Sequence, residues 1–350
     1  MSKILNNKKL AIILFNLGGP DSLQAVKPFL FNLFNDKFII NLPKFFRYLL
    51  AYLISSTREK KAKGIYARMG GRSSIMPETQ SQANALAEYL KDKLDCEFKI
   101  FICMRHWHPM SDEVVKQVCD YSADEIIYLP LYPQFSTTTT ASSIDDFTSK
   151  ISKSKLKNIV CKTVCCYPLE ESFIKSQATL ISSKLKKEKN YRILFSAHGL
   201  PKKTIDAGDP YQWQIEASVQ AIINEIGIEN LDYKITYQSK VGPLEWLKPN
   251  TEDEIEIAAK QGINLIIVPI AFVSEHSETK VELDMDYKEI AMKYSIDYVR
   301  IPTVSIDSLF IKSLGDIVIN ANKKPGSFTL SSKMSRICPG NFSKCPCNKS

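Results

Sequence analysis

The sequence lacks any apolar run long enough to cross a membrane. Its longest uncharged stretch, residues 126–144, contains two prolines and ends in a Ser/Thr tract, whereas a spanning helix needs about 20 predominantly apolar residues. It also lacks zinc-finger spacings and the aromatic motif of RNA-recognition modules. Its net charge is +8, but the lysines are scattered. We therefore predict neither a membrane-spanning protein nor one that binds nucleic acid.

Signatures of several common enzyme classes are also missing. No H-E-x-x-H and no G-x-S-x-G pattern is present, which argues against a zincin and an α/β-hydrolase. The segment "NLGGPDS" follows an apolar run as a dinucleotide-binding loop would. It is not G-x-G-x-x-G, however, and Pro20 removes a backbone N–H that a phosphate would need. We therefore predict no nucleotide cofactor.

What the chain does contain is a series of short apolar, β-branched segments, each ended by a turn signal. Four lie in the first half, beginning with "KKLAIILFNLGGP" and "FKIFICMRHWHP". Four lie in the second half, beginning with "YRILFSAHGLP" and "DYKITYQSKVGP". Charged, helix-periodic segments separate them, and this alternation predicts parallel α/β sheets. The length of 350 residues suits two domains of about 150 residues each.

The two halves follow one plan. The segment "LFNLGGP" corresponds to "LFSAHGLP", "RHWHP" to "QSKVGP", and "LPLYPQFSTTTT" to "VPIAFVSEHSET". We interpret this as a duplication, with two unrelated α/β halves as the alternative. The prediction is two similar doubly wound, Rossmann-like domains, residues 1–168 and 169–325, each with a four-stranded parallel sheet, facing across a cleft. A Cys-containing tail, residues 326–350, follows.

A histidine stands where this plan places ligands. In open α/β sheets, ligands bind beyond the carboxyl ends of the strands. His198 directly follows a buried strand, and Gly199 and Pro201 force a turn after it. We therefore predict His198 at the mouth of the cleft, where a neutral imidazole can take a proton or bind a metal. A purely structural histidine is the alternative.

The segment "FVSEHSETKVELDMDY" carries acidic residues at helical intervals. With Ser274 as the N-cap, five carboxylates would share one helix face: Glu275, Glu278, Glu282, Asp286 and Glu289. Apolar residues flank this row, so we predict a lined path for cations or protons. A solvated acidic face is the alternative. The counterpart in the first half, "STTTTASS", is uncharged, which confines the chemistry to the second half.

The first half has an extra segment at about residues 26–76, between its first two strands. The segment is rich in Phe, Leu and Ile, and its charges are mostly Lys and Arg. One interpretation is a basic, apolar lip that covers an apolar ligand or touches a membrane surface. The other is a set of ordinary helices packed on the sheet.

Three cysteines lie close together near the end of the chain: Cys338, Cys345 and Cys347. A metal or iron–sulfur site would need a fourth ligand, for which there are three candidates: Cys161, Cys165 and Cys166. The alternative is a disordered tail with incidental thiols. The nine cysteines of the chain form no regular disulfide framework, which indicates a reducing compartment.

Six motifs, taken in order, resemble those of the ferrochelatases: "YARMGGRSSI", "MRHWHP", "LYPQFSTTTTASS", "FSAHGLP", "YQSKVGPLEWLKP" and "IAFVSEHSETKVELD". The resemblance covers nearly the whole chain. It implies two Rossmann-like domains around a porphyrin cleft. It also implies a lyase that inserts Fe²⁺ into protoporphyrin IX, with release of two protons, in the last step of haem biosynthesis. The alternatives are a chelatase for another tetrapyrrole or metal, such as coproporphyrin or cobalt, and a non-catalytic haem- or metal-binding module.

The resemblance also implies roles for particular residues. His198 would be the proton acceptor and a metal ligand, with Glu278 as its acidic partner across the porphyrin. Glu275 and His276 would complete the metal-handling group. A path away from the site, on a helix that is often of the wider π type in this family, would be lined by Glu282, Asp286 and Glu289. The implied porphyrin-binding residues are Arg68, Arg105, Ser239, Trp246 and Leu17.

The sequence departs from the family pattern at several positions. Leu17 stands where relatives carry other residues near the porphyrin, and His106 replaces the commoner Tyr. Animal-type members hold an iron–sulfur cluster through a Cys at the position of Thr137. Thr137 and the spacing of the tail cysteines argue against a [2Fe–2S] cluster of that type.

The resemblance finally implies partners and a location. The substrates would be protoporphyrin IX and ferrous iron. We expect a monomer or homodimer in the cytoplasm, with peripheral contact at the inner face of the membrane through the lip segment.

Overall fold

The computed structural model describes residues 6–186, 190–240 and 242–349. Nine strands are found in these residues: β1 (Asn6–Asn16), β2 (Cys96–Met104), β3 (Glu125–Pro130), β4 (Val160–Val164), β5 (Tyr191–His198), β6 (Tyr233–Gln238), β7 (Asn264–Pro269), β8 (Tyr298–Arg300) and β9 (Phe328–Leu330). They form two parallel sheets, with strand orders β2-β1-β3-β4-β9 and β6-β5-β7-β8. The eight strands predicted from the apolar segments are the first eight of these.

The two sheets repeat one topology. In each, the first strand in sequence pairs with the second on one side and the third on the other, and the fourth follows the third. Two doubly wound, Rossmann-like units are therefore present, as the matched motifs predicted. The first sheet has five strands where four were expected, because β9 pairs in parallel with β4 at its edge. The three residues of β9 are flanked by Gly and Ser rather than by further apolar, β-branched residues, so the sequence gives no strand signal there.

Helices connect the strands and cover both faces of the sheets. The α-helices are α1 (Val26–Phe34), α2 (Lys44–Ala67), α3 (Ile75–Leu90), α4 (Ser111–Tyr121), α5 (Ser142–Ile151), α6 (Glu171–Ser182), α7 (Lys202–Asp206), α8 (Tyr211–Ile226), α9 (Thr251–Lys260), α10 (Tyr287–Met292) and α11 (Ser308–Lys323). One π-helix follows the third strand of each sheet: Thr137–Ala141 in the first half and Glu278–Asp286 in the second. A 3₁₀ turn, Pro346–Lys349, lies near the end of the chain.

The central strands are buried on both faces because helices pack on each side of them. All side chains from Leu10 to Phe15 in β1 are at most 1% exposed, as the unbroken apolar run "LAIILF" requires in a covered parallel sheet. In the second sheet, Ile193 to Phe195 of β5 are equally inaccessible. Both sheets are thus rigid platforms for the loops at their carboxyl ends.

The extra segment of the first half forms α1 and α2. Helix α2 buries only small side chains and Tyr66 along its length, namely Ala51, Ser55 and Tyr66. Its first half leaves large apolar side chains exposed, which we call the lip surface: Phe45, Phe46, Tyr48, Leu49, Tyr52 and Leu53. Phe45 is 68% exposed, so the side chains of the lip surface are not packed on the sheet. None of the helices described here is long and apolar enough to span a bilayer.

Candidate active site

His198 is the last residue of β5, and the turn after it needs a glycine. A Cβ atom on Gly199 would lie 2.8 Å from the carbonyl oxygen of Gln238 and 3.2 Å from a ring atom of Trp246. Neither neighbour is free to move, because one is backbone and the other a packed ring. Tyr211 on α8 donates its hydroxyl to the His198 carbonyl at 3.0 Å. The imidazole is thereby fixed at the open end of the second sheet.

The His198 imidazole is paired with Glu278, the first residue of the second π-helix. Nδ1 of His198 lies 2.8 Å from Oε2 of Glu278. Burial alone would lower the pKa of His198, but the Glu278 charge and hydrogen bond outweigh it and raise that pKa above 6.5. Burial would likewise raise the pKa of Glu278, but His198 and His276 lower it to about 2. The pair therefore favours a proton on the imidazole.

His276 faces the other side of the same carboxylate. Its Nδ1 lies 3.0 Å from the carbonyl oxygen of Ser274, so in the neutral ring this nitrogen carries the hydrogen and Nε2 keeps a lone pair. Nε2 lies 4.0 Å from Oε1 of Glu278. A lone pair and a carboxylate oxygen repel each other at this distance unless a positive charge joins them. The gap therefore suits a proton or a cation.

Glu282 lies next along the π-helix and is surrounded by hydrogen-bond donors. Ser239 donates its backbone N–H at 3.1 Å and its hydroxyl at 2.7 Å. Tyr287 donates its hydroxyl at 2.9 Å, and Gln238 its amide at 3.1 Å. Burial and the nearby Glu278 charge nevertheless raise the pKa of Glu282 above its usual range. Two neighbouring carboxylates thus have pKa values moved in opposite directions, a feature typical of acid–base sites.

The acidic row does not form the single face that the 100° spacing predicted. Its helix is a π-helix, as the resemblance implied, and i→i+5 bonding widens the repeat. Glu278 and Glu282 lie together near His198, whereas Asp286 pairs with Arg68 at 2.7 Å and Glu289 is exposed on α10. The matching segment of the first half is also a π-helix, so the widened turn belongs to the duplicated plan.

The prediction of Ser274 as N-cap was wrong. The π-helix begins at Glu278 and its N-cap position is Ser277, without a side-chain cap. Ser274 is buried instead, and donates its hydroxyl to Gln82 on α3 at 3.0 Å. Gln82 in turn donates its amide to the Val273 carbonyl at 2.7 Å. The loop after β7 is thus held by a helix of the first half rather than by its own cap.

Glu275 is placed differently from the other proposed metal-handling residues. Its Oε1 accepts from Arg300 at 2.6 Å and from the backbone N–H of Thr303 at 2.9 Å. Burial raises the pKa of Glu275, but the Arg300 charge outweighs it and lowers that pKa. Within residues 6–186, 190–240 and 242–349, no three His, Cys, Asp or Glu side chains converge as ligands of one ion. His198, Glu278 and His276 are brought together in a row, and Glu275 is tied to Arg300.

The residues expected to contact a porphyrin are dispersed around this row. Trp246 packs on Gly199 beside His198, and Ser239 is bonded to Glu282. Arg68 lies at the other end of the π-helix, on Asp286. Leu17 is half-buried, and its carbonyl accepts from the His106 backbone N–H at 3.0 Å.

Arg105 belongs to a separate buried network. Its guanidinium lies 3.0 Å from Asp36 and 2.6 Å from the Ser142 hydroxyl, and its side chain is only 15% exposed. His106 beside it is fully buried, and burial lowers its pKa far below the usual value. These contacts tie the loop between α1 and α2 to the carboxyl ends of the first sheet.

Two residues near the row were not singled out from the sequence. Tyr66, on α2, is hydrogen-bonded to Ser277 beside Glu278, and burial raises the pKa of its hydroxyl to about 12. It lies within the motif "YARMGGRSSI", which was the available signal. Arg300, at the end of β8, had no such signal, because its partners are Glu275 and Asp284 and no local pattern links them.

Two solved structures share this architecture. SirB from Bacillus subtilis with Fe³⁺ has a TM-score of 0.54 at 12% identity, covering 90% of this chain and 96% of its own. DR2241 from Deinococcus radiodurans, described as having structural similarity to chelatases, has a TM-score of 0.50 at 10% identity and covers 91% of this chain and 56% of its own. At such identities the likeness concerns the fold alone. The class so defined is the two-domain α/β fold of chelatases.

Sequence relatives then identify the family. The ferrochelatase family model matches residues 9–322. The chain is 59% identical to ferrochelatase from Rickettsia bellii over 98% of this chain and 96% of the relative. It is 48% identical to that from Pelagibacter ubique over 97% and 98%. The chain belongs to the ferrochelatase family. It is a lyase that inserts ferrous iron into protoporphyrin to form protohaem, which confirms the activity predicted from the motifs.

Proposed function

We propose that His198 and Glu278 act as one acid–base unit in iron insertion. Two pyrrole N–H protons must leave the macrocycle when the metal enters, so the reaction needs a base at the cleft. The observation that carries the proposal is the 2.8 Å pair at the carboxyl end of β5. Nδ1 of His198 is bonded to Glu278, which leaves Nε2 as the nitrogen that can face the porphyrin.

The protons then need a route away from the imidazole. Glu278 is a carboxylate with a pKa of about 2, so it passes a proton on rather than holding it. Glu282 and His276 flank it, and the raised pKa of Glu282 suits a transient proton carrier. Asp286 and Glu289 extend the acidic residues toward the surface. The same charges attract Fe²⁺, whose approach as substrate needs no resident metal.

A ring that is bent by the cleft exposes a pyrrole lone pair to the metal, so a cleft complementary to the bent ring would favour the transition state. We propose that Trp246 and Leu17 border the macrocycle. We propose that Arg68 and Ser239 bind its carboxylates, which would replace Asp286 as the partner of Arg68 and Glu282 as the partner of Ser239.

Anaerobic incubation of purified protein with Fe²⁺ and protoporphyrin tests the whole assignment. Faster turnover with coproporphyrin or Co²⁺ would favour the other tetrapyrrole or metal instead.

We also propose that the lip surface contacts a membrane from the cytoplasmic side. Its six large apolar side chains are exposed, and Lys44 and Arg47 are next to them in sequence. An apolar helix face with basic neighbours is typical of helices that lie in the interface of an anionic bilayer. The same surface would bring the apolar porphyrin from the lipid to the cleft.

Replacing Phe45 and Phe46 together by serine is expected to weaken binding to phosphatidylglycerol–phosphatidylethanolamine vesicles by about tenfold or more, because each buried Phe contributes roughly 1.5–3 kcal/mol. Co-sedimentation measures the effect. Ile228→Ser, which removes an apolar side chain that is 48% exposed outside the lip, is the matched control. Equal binding by the double variant and this control would contradict membrane contact through α2.

We propose, further, that the tail cysteines hold an iron–sulfur cluster. Five thiols are buried together with Phe135: Cys165, Cys166, Cys338, Cys345 and Cys347. Sγ of Cys165 lies 3.6 Å from that of Cys347 and 3.8 Å from that of Cys166. Two thiolates on one tetrahedral metal lie about 3.8 Å apart when each metal–sulfur bond is about 2.3 Å. A two-iron cluster needs such pairs on two metals, rather than a single set of ligands around one ion.

The fourth ligand in this proposal is Cys165 or Cys166. Cys161 is excluded because it lies outside this group and contacts the Tyr128 hydroxyl at 3.5 Å. The Thr137 position is engaged elsewhere, since its backbone N–H and its hydroxyl both donate to Asp209 at 2.7 Å. Four thiolates would supply the anionic ligand set of the cluster, and the cluster would join the tail to the segment after β4.

Cys345→Ser is expected to abolish cluster binding, because it removes one of the three tail ligands, and the remaining set would have to use the adjacent Cys165 and Cys166 together. Iron and acid-labile sulfide per chain, with the visible absorption spectrum, measure this in protein purified without oxygen. Cys161→Ser should retain wild-type values, and Cys165→Ser compared with Cys166→Ser identifies the fourth ligand. Wild-type protein without iron and sulfide would overturn the proposal.

A further inference from the structure

One arginine on strand β8 forms ion pairs with carboxylates on and just before the acidic π-helix. Arg300 ends β8, and its Nη1 lies 2.6 Å from Oε1 of Glu275. Its Nε and Nη2 donate to the two carboxylate oxygens of Asp284 at 2.7 and 2.5 Å. The Arg300 and Glu275 side chains are each 13% exposed. The guanidinium is thus bonded to one largely buried carboxylate, Glu275, and to one partly exposed carboxylate, Asp284, which is 37% exposed.

The two partners lie on either side of the reactive carboxylates. Glu275 comes three residues before Glu278, and Asp284 comes two residues after Glu282. A single guanidinium thus bridges the approach to the π-helix and its second half. Tyr298, on the same strand, donates its hydroxyl to the carbonyl of Leu283 at 2.6 Å. Strand β8 therefore holds the helix at Leu283 and Asp284 and the loop before it at Glu275.

These contacts oppose a relaxation that a π-helix otherwise favours. π-Helical turns are rare because i→i+5 bonding is less favourable than the α-helical pattern. A return to α-helical winding would rotate Glu282 away from Ser239 and Gln238 and move Glu278 relative to His198. The planar fork of arginine fits two carboxylates in fixed directions, which a lysine ammonium cannot do.

The ion pairs of Arg300 also determine which carboxylates are left to take part in the reaction. Arg300 is the cationic partner of both Glu275 and Asp284, and Arg68 is the cationic partner of Asp286. Glu278 and Glu282 are then the two helix carboxylates beside His198. Without Arg300, Glu275 and Asp284 would lose their cationic partner, and Fe²⁺ or protons would have additional sites to occupy.

We propose that Arg300 is a positioning residue for iron insertion, which clamps the π-helix in its wide form and removes Glu275 and Asp284 from the reactive group. The inference rests on the roles proposed for His198 and Glu278. Arg300 touches neither substrate; it acts through the placement of Glu278 and Glu282. Glu275 then belongs to the clamp rather than to the set of metal ligands.

The test compares Arg300→Met and Arg300→Lys with Arg192→Met. Arg192 shares its Nε between the two carboxylate oxygens of Asp232 at 3.0 and 2.9 Å, is also 13% exposed, and lies on β5 of the same sheet. Arg300→Met is expected to lower kcat by about 10²-fold, the cost of a small misplacement of reacting groups. The KM for protoporphyrin should stay within about threefold. Arg300→Lys should restore little, because it cannot bridge both carboxylates.

The control separates positioning from general stability. Arg192→Met should lower Tm while kcat stays at the wild-type value. Wild-type kcat in folded Arg300→Met, or equal kcat losses in Arg300→Met and Arg192→Met, would overturn the proposal. If Arg300→Met does not fold, Arg300→Met/Glu275→Gln/Asp284→Asn, which leaves no unpaired charge, is measured in its place. Wild-type kcat in His198→Asn would overturn the proposed roles themselves, independently of Arg300.

Discussion

Replacing His198 by asparagine is expected to lower the kcat of iron insertion by about 10²–10⁴-fold, the usual contribution of a positioned base. Asparagine keeps a polar side chain at the end of β5, but its amide cannot accept a proton near pH 7. The KM for protoporphyrin should change little, because the proposed porphyrin contacts come from Trp246 and Leu17 at the ring and from Arg68 at its carboxylates. The measurement is the anaerobic rate of metalloporphyrin formation at saturating Fe²⁺.

A matched control for this variant exists on the surface. His108 is also paired with a glutamate, Glu113, but its side chain is 59% exposed and it lies on the first half, away from β5. His108→Asn should leave kcat unchanged. Full activity in His198→Asn would remove the imidazole from the reaction, and equal losses in the two variants would point to an unspecific effect of histidine removal.

Replacing Glu278 by glutamine is expected to lower kcat by about 10²-fold or more. The amide keeps the size of the side chain, but it removes the charge that raises the pKa of His198 and the acceptor for its proton. The kcat with Fe²⁺ and protoporphyrin measures the effect. Glu256→Gln on α9, where Glu256 pairs with Lys260 in an exposed i,i+4 contact, is the control and should have wild-type kcat. A Glu278→Gln enzyme as fast as this control would contradict the acid–base unit.

The same pair contributes to stability in a limited pH window. The raised pKa of His198 gives a contribution that is complete below pH 6.5 and is lost as the pH rises through its folded value. The lowered pKa of Glu278 gives a contribution that is complete above pH 4.5 and is lost as the pH falls toward about 2. Both contributions to the free energy of unfolding are therefore complete between pH 4.5 and pH 6.5. Because the His198 side chain is 37% exposed, solvent screening keeps the contribution of His198 to stability modest.

Much of the fold followed from the sequence because its signals are local. The run "LAIILF" predicts a strand covered on both faces, and Gly199 with Pro201 marks the turn that presents His198. Matching motifs then predicted two sheets of one topology. Strand β9 was missed because Gly and Ser flank its three residues, and its pairing with β4 depends on a contact between distant parts of the chain.

The candidate site was predictable in its residues but not in its geometry. His198, Glu278 and Glu282 were named from strand ends and spacing, and they are neighbours in the structure. The five-carboxylate face failed because an α-helical repeat was assumed where the chain forms a π-helix. Glu275 was grouped with them because its true partner, Arg300, lies 25 positions away. A local sequence pattern does not indicate pairings between distant side chains. The ion pairs of Arg300 with Glu275 and Asp284 could therefore be found only in the structure.

The central claim is that His198 and Glu278 work as one unit, and the pH dependence of kcat/KM tests it most directly. His198 accepts a proton only when neutral, so the rate of wild-type protein should rise with pH through an apparent pKa above 6.5. In Glu278→Gln, burial lowers the pKa of His198 without the opposing charge, so the acid limb of the residual activity should move to lower pH. An acid limb at the same pH in both proteins would contradict the account.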